Sequence, residues 1–83
     1  MTKKQKLVAK ILAGKSDSNI DFDSLINLLK AMDFKERISG SHHIFYKDDV
    51  DEIINLQALT NGKAKSYQIK QVRNIILKYK LGE

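Results

Sequence analysis

The sequence predicts an α+β domain in which a three-stranded antiparallel sheet is packed by helices, in the order α-α-β-β-β-α. Three observations carry that expectation. Apolar residues recur at helical spacing in three stretches, near residues 7–12, 22–32 and 69–79. Between Phe34 and Leu56 the period shortens to two, and turn-forming residues divide the run into three pieces. The chain has 83 residues, room for one domain spanning 1–83 with a thin core.

Lys3 to Ala13 is expected to form the first helix, with Leu7, Val8, Ile11 and Leu12 in one apolar stripe. Gly14 ends it, and Lys15-Ser16-Asp17-Ser18-Asn19 is a polar loop. The second helix starts after Asp21, a good N-cap residue, and Asp23 in its first turn complements the helix dipole. Phe22, Leu25, Ile26, Leu28, Leu29 and Met32 give it a wide apolar face suited to the centre of a small core. From Phe34 the alternation is that of a strand, with Phe34, Glu36 and Ile38 on one side and Lys35, Arg37 and Ser39 on the other.

Gly40-Ser41 is a two-residue loop with glycine first, the signature of a type II′ hairpin, and it leads into the strand His42 to Lys47. Asp48 to Asp51 reads as the next turn, and Ile53 to Leu56 as a short third strand. Thr60 to Lys65 is a loop holding an Asn61-Gly62 turn. Ser66 or Tyr67 opens the last helix, striped by Ile69, Val72, Ile75, Ile76 and Tyr79, with Gly82 just past its end. The order is close to that of double-stranded-RNA-binding domains with one helix added in front. Helices cover one face of the sheet and leave the other open.

Composition narrows the function classes. The chain has no cysteine, which excludes disulfides, thiolate metal sites and cysteine nucleophiles and suits a reducing compartment. No apolar run is long enough to span a membrane. Lys10 and Lys15 interrupt the first apolar stretch, which is too short and too charged for a signal-peptide core, so a cytoplasmic location is expected. The formal net charge of +5 favours a polyanionic partner. Lysines crowd both ends, and Lys35, Arg37 and Lys47 flank the hairpin, whereas Asp48, Asp49, Asp51 and Glu52 form an acidic knot. This alternation describes either a bounded basic face with a separate acidic contact patch or an ordinary solvated surface.

The two histidines, His42 and His43, are adjacent. Successive strand residues point to opposite faces, so the pair can converge on one phosphate only if the strand starts irregularly. By alternation His42 travels with Ile44 and Tyr46, and His43 with Phe45; the pattern does not decide which set is buried. His42 directly follows the turn, which leaves it accessible, and histidine titrates near neutral pH. With no third ligand in register, no metal site is expected. No acid partner marks Ser41 as a nucleophile, and no glycine-rich phosphate cradle is present.

A basic cluster of Lys63, Lys65, Lys70 and Arg73 precedes and enters the last helix. It reads as a solvated helix face or as a phosphate-binding corner beside the hairpin, where a helix N-terminus also attracts anions. Tyr46 and Tyr67 are either packing residues or platforms for unpaired bases.

The run Phe34-Lys35-Glu36-Arg37-Ile38-Ser39-Gly40-Ser41-His42-His43-Ile44-Phe45 resembles the central motif of HicA-type mRNA interferase toxins. Ile54-Asn55-Leu56-Gln57 and the stretch from Gly62 to Arg73 are similar to the second half of that family. The likeness covers roughly residues 6 to 81, and Gly-Ser-His is its most specific part. The resemblance implies a fold like that of double-stranded-RNA-binding domains and ribosome-independent cleavage of mRNA, as the toxin of a type II toxin–antitoxin system. It implies a catalytic histidine at His42 and a HicB-type antitoxin covering the site. The family often has proline where this chain has Ser66, and the first helix here is longer than in the shortest members.

The expectation is therefore an endoribonuclease with His42 as general base on the RNA 2′-hydroxyl. Gly40, Ser41, Lys63, Lys65, Lys70 and Arg73 are the expected RNA contacts, with mRNA as substrate, a HicB-type antitoxin as partner, and neither metal nor cofactor. Its rivals are a non-catalytic RNA-binding module of the same fold and a protein-interaction domain that uses the acidic knot.

Overall fold

The computed structural model describes residues 2–81. The elements run α1 (Lys3–Ala13), α2 (Phe22–Ala31), β1 (Lys35–Ser39), β2 (His42–Lys47), β3 (Val50–Leu56) and α3 (Ser66–Tyr79), which is the expected α-α-β-β-β-α order. The sheet is antiparallel with β2 in the centre.

α1 begins in a capping box. The Thr2 hydroxyl accepts from the Gln5 amide at 3.1 Å, and the Gln5 side chain accepts from the Thr2 amide at 2.9 Å. It ends at Gly14, whose φ of +71° is the left-handed conformation that glycine adopts without strain. α2 ends in a Schellman arrangement without glycine. The Phe34 amide reaches the Leu29 carbonyl at 3.1 Å and the Asp33 amide reaches Lys30 at 3.0 Å, with Asp33 at φ +69°. That tight exit turns the chain directly into β1.

Asp21 stands at the N-cap of α2, but its side chain makes no capping bond. Its carboxylate meets Lys63 at 2.6 Å instead. The backbone supplies what the side chain does not, since the Phe22 amide donates to the Gly62 carbonyl at 2.9 Å and the Ala64 amide to Ile20 at 2.8 Å. The loop before α3 is thereby zipped against the start of α2.

The first hairpin has the predicted two-residue turn, with Ser39 opposite His42. Gly40 has φ +60° and Ser41 does not share the positive φ, as a type II′ turn requires. The second hairpin is tighter than expected. Lys47 pairs with Val50 across an Asp48-Asp49 turn, so β3 starts at Val50 rather than Ile53. The register then shifts between Lys47 and Phe45, where Asp51, Glu52 and Ile53 of β3 lie opposite the single Tyr46 of β2. Because the two extra residues keep the alternation, Val50, Ile54 and Leu56 all point inward and are buried.

One core fills the space between the sheet and the helices. Phe45 on the central strand is fully buried, as are Ile11, Leu25, Ile54, Leu56, Ile69 and Val72. Burying each such side chain contributes about 1.5–3 kcal/mol. The alternation left open in the sequence is settled by Phe45: its face, which His43 shares, is the core face. His42, Ile44 and Tyr46 belong to the open face, together with Ile53, which is 63% exposed. α3 ends at Lys80, which adopts φ +56°, and the Leu81 amide bonds back to Ile76 at 3.0 Å. Gly82, the expected stop, lies outside the described residues. No described helix is long and apolar enough to cross a membrane.

Candidate active site

The hairpin turn, the end of β3 and the start of α3 meet at one end of the sheet. His42 is the first residue of β2 and is exposed. Its Nδ1 lies 2.9 Å from the side-chain oxygen of Asn55. An amide oxygen accepts, so Nδ1 carries the hydrogen in this contact, and in the neutral ring Nε2 then keeps a free lone pair. The register explains the contact: Ile44 is opposite Asn55, which makes His42 and Asn55 diagonal neighbours on the open face.

Ser41 and Lys65 are joined by a residue that sequence reasoning did not single out. The Gln57 side-chain amide donates to the Ser41 hydroxyl at 2.9 Å, and its oxygen accepts from the Lys65 ammonium at 3.3 Å. Lys65 is held by its own backbone, whose amide donates at 3.3 Å to Gln68, a buried glutamine in the first turn of α3. The lysine thus stands beside the hairpin with its ammonium bonded to a neutral amide and its charge uncompensated by it. Tyr67 is 64% exposed, and the Lys65 ammonium sits 6.0 Å from its ring centroid. At Gly40 a Cβ would meet nothing within 4 Å, so the tip of the turn faces open space there.

His43 serves the opposite face. Its Nδ1 is 2.8 Å from a Glu36 carboxylate oxygen, and its ring meets Phe22 edge-on at 5.2 Å between centroids. Glu36 also takes Lys30 at 3.0 Å. The hydrogen bond from His43, followed by that from Lys30, holds the Glu36 carboxyl below its ordinary value.

The remaining cations of the expected RNA cluster separate. Lys63 faces Asp21, and its hydrogen bond, reinforced by its charge, lowers the Asp21 carboxyl from its usual range. Lys70 is exposed on α3 and has no carboxylate partner among the described residues. Arg73 requires a correction, because its guanidinium is committed inside the fold. It forks onto Asp17 with bonds of 2.9 and 3.2 Å and caps α1 by donating to the Ile11 carbonyl at 3.1 Å. Both side chains of the pair are largely buried, at 18% and 13% exposure. A Cβ at residue 14 would lie 3.3 Å from the guanidinium, so Gly14 also makes room for it.

The acidic knot is likewise partly committed. Glu52 accepts from the Tyr79 hydroxyl at 2.6 Å and from Lys78 at 3.2 Å, which lowers its carboxyl, Tyr79 contributing most. Tyr79 is therefore a polar tie between α3 and β3 as well as part of the helix stripe. Among the described residues no three histidine or acidic side chains gather into a metal-binding group.

In the sequence Asn55 and Gln57 stand only within the family-like run Ile54-Asn55-Leu56-Gln57. Their shared outward phase along β3 and just past its end places Asn55 beside His42 and Gln57 beside Ser41. Compared with protein-family models, curated proteins and solved structures, the chain has no match.

Proposed function

We propose that this protein is an endoribonuclease of the HicA mRNA interferase type, the toxin of a pair whose HicB-type antitoxin covers the hairpin, and that His42 is its general base. The observation that carries the reading is the exposed His42, tethered through Nδ1 to Asn55, at the same end of the sheet as the Ser41–Gln57–Lys65 chain. In this proposal Nε2 takes the proton of an RNA 2′-hydroxyl. The 2′-oxygen attacks the adjacent phosphorus, the bond to the 5′-oxygen breaks, and the leaving oxygen takes a proton from water. The resulting hydroxide is neutralised by the proton held on Nε2, which restores the base. The products are a 2′,3′-cyclic phosphate and a 5′-hydroxyl. Base catalysis of this kind contributes about 10²–10⁴-fold, and Lys65 supplies charge for the phosphorane oxygens. Gly40 and Ser41 present backbone and hydroxyl donors at the open turn, and Lys70 adds an exposed cation along α3.

The test is cleavage of a labelled RNA by purified wild type, His42→Ala and His43→Ala. The expected result is loss of about 10²-fold or more in His42→Ala with its fold intact. A folded His42→Ala that cleaves like wild type overturns the assignment. A 2′-deoxy substitution at the cut site should abolish cleavage. The exposed Tyr67 beside Lys65 also suits a non-catalytic RNA-binding module, which would bind the same RNA and leave it whole.

A further inference from the structure

A lysine-walled groove runs between α1 and α2, and we propose that it docks an acidic amphipathic helix of a protein partner. The groove has a volume of about 530 Å³ and shares no residue with the hairpin site, so the inference stands apart from the reading of His42. Its floor is made by Leu7, Leu28 and Ala31. Leu28 is buried, Leu7 packs half-buried against the edge of the core, and Ala31 is exposed at the last turn of α2.

Lys3, Lys4, Lys6 and Lys10 stand along the α1 wall, and α1 contains no acidic residue to offset them. The α2 wall presents only the uncharged Ser24 and Asn27. Lys4 and Lys10 rest on backbone carbonyls, those of Ala31 at 3.5 Å and Asn19 at 2.7 Å. None of the four is paired with a carboxylate among the described residues. Like charges three and four residues apart on a helix repel, and Lys3, Lys6 and Lys10 are so spaced. An anionic partner relieves that repulsion, so charge selects an acidic occupant.

The floor selects its class. A nucleic-acid backbone would satisfy the lysines but has no aliphatic group to seat on Leu7, Leu28 and Ala31. A helix with an apolar stripe has such groups at i, i+3, i+4 and i+7, and the volume accommodates two or three of them. Two adjacent helices also present parallel ridges on which a third packs at about 8–10 Å. The occupant is thus a helix whose buried stripe is aliphatic and whose flanks carry glutamate or aspartate.

The probe is a fluorescein-labelled synthetic helix with leucine on one face and glutamate and alanine elsewhere, titrated with the full chain and followed by anisotropy. A second peptide carries lysine for glutamate, and a short single-stranded RNA is run alongside. The acidic peptide is expected to bind saturably and the lysine peptide not to bind. Ala31→Trp fills the groove from an exposed position and should weaken the acidic peptide about ten-fold or more, leaving RNA binding unchanged. Lys6→Glu should weaken it comparably, and covers the case in which Ala31→Trp perturbs the fold. Absence of saturable binding at about 100 µM protein overturns the proposal. So does wild-type affinity for the acidic peptide retained in both variants, or an RNA affinity that falls with Ala31→Trp, which would make the groove a phosphate-binding surface.

Discussion

Lys65 and Arg73 are cations of one basic cluster, eight residues apart, yet the fold uses them in opposite ways. Lys65 is bonded to the neutral Gln57 side chain at the hairpin, and its charge is not cancelled there. Arg73 is enclosed, forked onto Asp17 and capping the end of α1. A guanidinium suits the second task because its fixed fork matches a carboxylate and a carbonyl at once, and an ammonium suits the first because it keeps a mobile point charge. The difference teaches that a basic cluster is a statement about composition, whereas availability for a phosphate depends on what each cation already touches. The corner at Arg73 holds α1, the loop after it and α3 together, and in the proposed function the corner at Lys65 is the one that meets RNA.

The sharpest way to break this comparison is to truncate both cations. Arg73→Ala should cost about 2–3 kcal/mol in urea denaturation, because Asp17 is left enclosed without its partner and the Ile11 carbonyl loses a donor. Cleavage per folded molecule should be kept. Lys65→Ala should do the reverse, costing less than about 1 kcal/mol in stability and lowering RNA cleavage about ten- to hundred-fold. If the two variants exchange these profiles, the division of labour is mistaken.

A next, smaller effect probes the hairpin alone. Asn55→Leu removes the acceptor that keeps the hydrogen on His42 Nδ1. It should lower kcat about ten-fold with little change in KM, since the residue positions the base and does not bind RNA. Asn55→Asp retains an acceptor and should recover most of the rate. A KM effect without a kcat effect would make Asn55 an RNA contact instead.

His42 and His43 extend the contrast to the two faces of one strand, and here the readout is acid stability. The Glu36 carboxyl is lowered from its ordinary 4.5 by His43 first and Lys30 next. A depressed carboxyl in the folded state contributes stability that is complete above the unfolded value and is lost as the pH falls through the folded one. The urea midpoint of wild type should therefore drop more steeply below pH about 4.5 than that of Glu36→Gln. Asp21 and Glu52 are lowered too, and comparing the two proteins cancels their contributions. Equal slopes would mean that the His43–Glu36 contact does little for the fold.

The order of elements was legible because each apolar stripe keeps one period, from Leu7 to Leu12 and from Ile69 to Ile76, and because Gly40 can take a positive φ. The opposite directions of the two histidines followed from the pleat alone. What was not legible was pairing across long separations in the chain. Nothing local marks Asp17 as the partner of Arg73, or Asp21 as held by Lys63 rather than capping α2. Gln57 is an unremarkable polar residue until the register brings it between Ser41 and Lys65. The start of β3 was missed because four acidic residues in five positions look like a loop. Two of them are strand residues, Asp51 outward and Glu52 tied to Tyr79 and Lys78.

The smallest effect concerns the residue that links the two corners, the start of α3 between Lys65 and Arg73. Ser66 is the first residue of the helix, where the amide is one of the four with no partner inside the helix. Proline loses nothing by lacking that hydrogen, and its fixed φ is already helical. Lys65, which would precede the proline, is extended at φ −74° and ψ 141°, the conformation that proline imposes on its neighbour. Ser66→Pro should therefore stabilise the fold by about 0.4–1 kcal/mol by restricting the unfolded chain. Because the backbone at Lys65 is unchanged, cleavage should hold. A stabilised protein with reduced cleavage would show that the Lys65 corner needs freedom of motion as well as the bonds to Gln57 and Gln68, and would give the serine at this position a functional reason.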